Sequence, residues 1–195
     1  MATFGYTSTP TDNWVNHSAN YVNLCKFTLA ENGVVSSISM YLGNQQTGHA
    51  SCYVKGVIYS DSGGVPATLQ VEGSAVQVLD NAAYAWVVSA APKVLSAGTY
   101  WLGVFGDDAA VGIDRGYVSS GGNTAYSSDT YSNGAAATYI VGETRTYILG
   151  IYATYTTGTL LTTNASAVGL AVSSAVLSNS RTTWAGLTVT RLLQG

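Results

Sequence analysis

The sequence predicts an all-β fold, an antiparallel sandwich or barrel, and three observations carry that prediction. Only 9% of the 195 residues are Asp, Glu, Lys or Arg, whereas ordinary soluble domains carry about 25%. Ser, Thr, Asn, Gly and 14 tyrosines stand in their place, a composition that disfavours charged surface helices and suits strands joined by short polar turns. Apolar residues alternate with polar ones in short runs, and no helical period holds through residues 21–105. Gly, Asn, Asp and Pro punctuate those runs at the spacing of sandwich and barrel turns. The length allows one well-filled domain, or one domain plus a tail.

The first alternating runs are residues 21–29 and 34–42, separated by Ala30-Glu31-Asn32-Gly33. The Asn-Gly pair suits a tight turn at positive φ, so these runs are expected to form a hairpin. A third strand is expected at about 50–60, closed by Ser62-Gly63-Gly64-Val65-Pro66, with further strands at about 74–79, 84–89 and 98–105. Residues 106–144 are rich in Gly, Ser and Tyr, with short strands expected at 111–118 and 123–127. A long loop in a compact domain is commonly functional, although edge strands and turns would read the same way. The last strand is expected at 145–155, which places the domain at 1–155 and a C-terminal tail at 156–195.

The pattern T-Y-x-L-G-[VI]-[FY] occurs twice, at Thr99–Phe105 and Thr146–Tyr152. Alternation puts Tyr100, Leu102 and Val104 on one face of the first copy, with Thr99, Trp101, Gly103 and Phe105 on the other. Tyr147, Leu149 and Ile151 repeat the first set. Both copies are expected to present those residues to one core, with a glycine where a backbone or large ring comes close. Cys25 and Cys52 are the only cysteines. Each lies in a strand pattern and reads as a buried free thiol, although spacing alone leaves a disulfide open.

The pieces Phe27–Leu29, Val35–Gly43, Val57–Pro66, Leu95–Val104 and Tyr147–Tyr155 carry a resemblance. Their order resembles a jelly-roll β-sandwich module similar to carbohydrate-binding-like domains of secreted bacterial surface proteins and to bacteriophage structural proteins. The resemblance covers about residues 20–155 and implies an antiparallel jelly-roll-like β-sandwich with a C-terminal extension. Its motifs mark a fold more than an activity, and the residues after 155 lie outside it.

A formal net charge of −3, with seven basic residues scattered and none in a run, argues against nucleic acid, whose phosphates call for clustered Lys and Arg. No apolar run approaches the ~20 residues that span a bilayer. The start, MATFGYTSTPTDNW, has neither the basic beginning nor the apolar centre of a secretion signal. The composition nonetheless suits a protein that works outside a cell, and a virion protein reconciles the two; an extracellular location is the alternative.

Chemistry-bearing residues are few. His17 and His49 sit in polar stretches without a paired nucleophile motif. Asp107, Asp108 and Asp114 follow a core strand. They read as solvated turn acids, as oxygen ligands for calcium, or as the two carboxylates of a glycosidase. Trp14, Tyr117, Tyr126, Tyr131 and Tyr139 lie in polar surroundings and suit stacking on pyranose rings, and exposed aromatics suit a protein interface equally. In the tail, Val168, Val172, Ala175 and Val176 share a helical face, and Trp184–Leu192 alternates like a strand. Leu160, Leu161, Val168, Val172, Val176, Trp184, Leu187 and Leu192 are therefore the expected interface residues. A tail this short cannot bury them on itself.

The expected function is non-enzymatic: a virion structural protein, either a capsid decoration (cement) protein or a fibre subunit. Its expected partners are the capsid shell and copies of itself, for instance in a trimer, and surface glycans. No cofactor is expected apart from calcium at the acids. The alternative is an extracellular carbohydrate-binding module whose site is the Asp107–Tyr131 segment.

Overall fold

The structure, a computed structural model, describes residues 1–14, 19–44, 51–107 and 113–158, with only the backbone at Asn13, Trp14 and Asn44. Fourteen strands follow in chain order: β1 (Ala2–Gly5), β2 (Asp12–Trp14), β3 (Tyr21–Leu29), β4 (Gly33–Asn44), β5 (Cys52–Ser62), β6 (Val65–Glu72) and β7 (Val76–Val78), then β8 (Ala82–Leu95), β9 (Gly98–Gly106), β10 (Asp114–Val118), β11 (Thr124–Ser128), β12 (Glu143–Arg145), β13 (Ile148–Leu149) and β14 (Ile151–Thr157). Among the described residues there is no α-helix, only a 3-10 turn at Tyr131–Asn133. The strands make two antiparallel sheets packed as a sandwich. The first runs β1-β14-β4-β10-β13, with β8 also on β4 and β2 on β10. The second runs β12-β11-β3-β9-β5-β6, with β7 also on β5. Successive long strands β3, β4, β5, β8 and β9 alternate between the sheets, which gives the jelly-roll-like character.

That alternation overturns the expected first hairpin. β3 lies in the second sheet and β4 in the first, so residues 30–32 arch across the core instead of joining paired strands. Leu29 and Val35, on either side of the arch, are both buried in the same core. Asn32 braces it by accepting a hydrogen bond from the Ala97 N–H at 2.8 Å. Gly33 is not at positive φ. Its role is steric, since a Cβ there would lie 2.9 Å from the Thr156 carbonyl on β14.

A true hairpin follows β5, where a strand end was expected. Gly63 and Gly64 take φ of 63° and 89°, Asp61 accepts a hydrogen bond from the Gly64 N–H at 3.0 Å, and the chain returns as β6. Pro66 is tolerated because β6 is an edge strand.

The two copies of the repeat lie in different sheets and face one core. Tyr100, Leu102 and Val104 of β9 join Leu149 and Ile151 there, together with Ile38, Met40, Leu42, Val54 and Ile58. The second copy is not one strand, because it breaks at Gly150 between β13, paired with β10, and β14, paired with β4. Each glycine marks a close approach. A Cβ on Gly103 would lie 2.6 Å from the Asn23 carbonyl, and one on Gly150 would meet Pro10 at 2.5 Å and the Tyr41 Cβ at 3.0 Å.

The other face of β9 is buried too. Trp101 and Phe105 form a second cluster with Val22, Leu24, Val57, Tyr59, Ala125 and Tyr139. Residues 129–142 strap this outer face of the second sheet. The strap bridges to β6 at Thr68–Thr138, where Leu69 N–H donates to the Ala137 carbonyl at 2.9 Å and Tyr139 N–H to the Ala67 carbonyl at 2.8 Å. Tyr59 donates its hydroxyl to the Ala136 carbonyl at 2.9 Å, and Tyr139 donates to that of Val22 at 3.2 Å.

Cys25 and Cys52 are free, buried thiols in the main core. β9 lies between their strands, so no adjacent-strand disulfide is available. Burial pushes the Cys25 thiol up to about 11. Burial, and secondarily the Asp107 charge, push Cys52 up to about 12. By contact density the chain divides at Leu161/Thr162, and the second part lies outside the described residues.

Candidate functional site

The acids grouped by sequence do not meet. Asp107 directly follows β9 and accepts a hydrogen bond from the Tyr53 N–H at 2.9 Å, while its own N–H donates to the Tyr53 carbonyl at 3.0 Å. That reciprocal pair stitches the loop to the end of β5. Asp114 opens β10 in the other sheet, is buried, and hydrogen-bonds the Tyr84 hydroxyl. Asp108 lies outside the described residues. Among the described residues no three His, Cys, Asp or Glu side chains group as metal ligands.

Tyr117 and Tyr126 do approach one another's surroundings, where the β10/β13 edge of one sheet faces the β11/β12 edge of the other. The Tyr117 ring lies 4.9 Å from that of Tyr147. Arg145 donates to the Tyr126 hydroxyl oxygen from Nη2 at 2.7 Å and from Nε at 3.1 Å, and its guanidinium sits 5.1 Å from the Tyr126 ring. Tyr126 in turn donates to Glu143, whose carboxyl is held below its usual range chiefly by that bond. Arg115, alternating with Asp114 on β10, is buried. Burial, then the positive charge of Arg145, lower its guanidinium to about 10. This is a tyrosine-lined corner with two arginines, and Glu143 and Asp114 are their counter-charges.

Tyr131 belongs to the strap. Its ring packs against Phe105 at 5.0 Å and lies under Lys55, whose ammonium is 4.4 Å from the ring centre and pairs with Glu72. The hydroxyl is buried with no hydrogen-bond partner among the described residues. Burial, with the charges of Asp107 and Glu72, pushes it up to about 12. Tyr139 is 7% exposed and belongs to the second cluster, which takes it out of any surface platform. The backbone of Trp14 pairs with Arg115 across β2 and β10; its side chain is not described. The interface residues expected from Leu160 to Leu192 all lie outside the described residues.

A more continuous aromatic surface lies on the outer face of the first sheet. Tyr84 and Trp86 of β8, Tyr41 of β4 and Tyr152 of β14 are all half-buried. Tyr84 stacks on Tyr41 at 5.7 Å with the rings 21° apart. Tyr41 meets Trp86 edge-on at 5.3 Å, and Trp86 meets Tyr152 edge-on at 4.9 Å. Glycines set the rings in place: a Cβ on Gly43 would lie 3.1 Å from the Tyr84 ring, and Gly116 lies beneath Tyr41. Ser39, Val88 and Thr154 flank the strip, and none is charged. Sequence reasoning passed over these rings, although the signal was present: Tyr41 alternates with buried Met40 and Leu42, and Tyr84 and Trp86 are two residues apart on one strand.

Among the described residues no helix is long and apolar enough to cross a membrane. No protein-family model matches the chain, and no curated protein matches it in sequence.

Proposed function

We propose that the chain is a non-enzymatic structural protein of a virion, a capsid decoration or fibre subunit, whose sandwich is the displayed part and whose residues 159–195 anchor it to the shell or to copies of itself, a trimer being the arrangement tested first. The observation that supports this most directly is the structural employment of the acids. Asp61, Asp107 and Glu72 each accept backbone hydrogen bonds that tie a turn, a loop or the strap to a strand, and Asp129 accepts one from Ala136 within the strap. A central strand, β9, buried on both faces beneath the strap suits a rigid display element. The apolar residues from Leu160 to Leu192 supply the surface that assembly needs.

Absolute mass by light scattering tests this reading, on residues 1–195 and on a chain ending at 158. The full chain should be a trimer or larger and the shorter one a soluble monomer. Two compact monomers would remove the assembly role.

A second reading, an extracellular carbohydrate-binding module, is favoured by the strip Tyr84–Tyr41–Trp86–Tyr152. The two are compatible, because a displayed virion protein can also hold a surface glycan.

A further inference from the structure

We propose that the outer face of the first sheet is a binding site for a neutral polysaccharide chain, with Tyr41, Tyr84, Trp86 and Tyr152 as its stacking surface. This rests on the carbohydrate-binding reading and moves its stacking surface from the aromatics of the Asp107–Tyr131 segment to rings on β4, β8 and β14, with Asp114 and Gly116 of that segment beneath them.

The two sheets differ in a way that singles out this face. The strap covers much of the outer face of the second sheet, where Tyr59, Trp101, Phe105 and Tyr139 are core and Tyr53 is left as a single exposed ring on β5. The outer face of the first carries four rings that remain partly exposed. The Tyr41 and Tyr152 hydroxyls and the indole edge provide hydrogen-bonding groups, the Tyr84 hydroxyl is taken up by the buried Asp114, and Ser39 and Thr154 beside them add no charge. The face therefore offers π-surfaces and neutral hydrogen-bonding groups, which match the C–H faces and hydroxyls of an uncharged sugar.

Preorganisation is built in. Tyr84 sits over Gly43 and is held through its hydroxyl by the buried Asp114, while Tyr41 sits over Gly116 and Gly150. Rings fixed before binding lose little conformational entropy on binding. Successive centroids at 5.7, 5.3 and 4.9 Å make the four rings one continuous strip, in which Trp86 stands edge-on to both Tyr41 and Tyr152.

Area selects a glycan over a second copy of the chain. A stable protein interface buries about 800 Å² on each partner. An entire aromatic side chain buries about 150–250 Å², so four rings already half-buried expose well short of that. The strip suits a short length of sugar chain.

The test is affinity electrophoresis of the full chain in gels containing hydroxyethyl cellulose, galactomannan or dextran, with alginate as an anionic control. Retardation by at least one neutral polymer is expected. Trp86→Ala, Tyr84→Ala and Tyr152→Ala should each weaken it at least tenfold while keeping the wild-type melting profile, and Tyr126→Phe should leave it unchanged. Because the three positions lie on two strands, loss of folding in one variant leaves the others to decide. If the wild type binds and only Tyr126→Phe or Tyr117→Ala weakens it, this site is overturned and the carbohydrate reading stands. If alginate alone retards the protein, the neutral site is overturned in favour of the Arg145 corner. If nothing retards it, both fall. If Trp86→Ala instead lowers the oligomer mass, the face belongs to a second copy and the proposal is overturned.

Discussion

The indole N–H of Trp101 donates to the carboxylate of Asp61 at 2.7 Å. Asp61 also accepts from the Gly64 N–H through its second oxygen. One side chain at the β5–β6 turn thus completes the largest buried ring of the second cluster and fixes a positive-φ glycine turn. Lys26 lies over the same indole at 5.6 Å.

Asp61→Ala leaves the indole N–H without its acceptor, and an unmet buried donor costs about 1–3 kcal/mol. Urea unfolding should show a midpoint shift of that size. Asp61→Asn keeps an oxygen at the site and should lose less.

Gly103→Ala drives a methyl group toward the Asn23 carbonyl, a backbone atom that cannot swing aside. Overpacking costs typically about 1–3 kcal/mol, and the upper part of that range is expected because both faces of β9 are packed. Wild-type stability of this variant by urea unfolding would contradict the close approach at Gly103.

Truncating Tyr139 to Ala removes a buried ring that meets Tyr59 edge-on at 5.3 Å and should cost about 3–5 kcal/mol, as for other large core aromatics. The loss should be felt first in the strap. Limited proteolysis of the variant is expected to cut within residues 129–142 before any strand of the main core.

The thiols make stability depend on pH in the alkaline range. An unfolded thiol loses its proton near 9.0, whereas Cys25 and Cys52 hold theirs to about 11 and about 12 in the fold. Between those values the unfolded chain binds fewer protons, so stability is fully present below pH 9 and falls as pH rises through 11–12. Melting followed from pH 8 to 11 should show the decline, and Cys25→Ser/Cys52→Ser should remove the part that begins near pH 9. Tyr59, Tyr131 and Tyr139, whose hydroxyls burial also pushes up, keep a decline above about pH 10. At pH 8 neither native thiol should react with a disulfide reagent, and both should react once the chain is unfolded.

Much of the fold was legible locally. Alternation in residues 21–29, 34–42 and 98–105 placed β3, β4 and β9, and both free thiols followed from their strand contexts. Period-two patterning reports which side chains share a face, and that depends only on backbone geometry. The candidate site was less legible. Asp107 and Asp114 are seven residues apart in the chain, but Asp107 follows a strand of the second sheet and Asp114 opens one of the first. Tyr41, Trp86 and Tyr152 are far apart in the chain yet form one strip.

The sequence by itself determined the all-β class, the positions of its long strands and the shared core of the two T-Y-x-L-G copies, while composition and alternation left a sandwich and a barrel both open. Those properties follow from composition, alternation and the close approaches that glycine permits. The tertiary structure alone decided that β3 and β4 arch across the core instead of pairing, that residues 129–142 bury one outer face, and that four distant aromatic residues line the other. The physical reason is that alternation assigns each residue to a face, while strand order across the sheets decides which faces meet and which remain open to solvent.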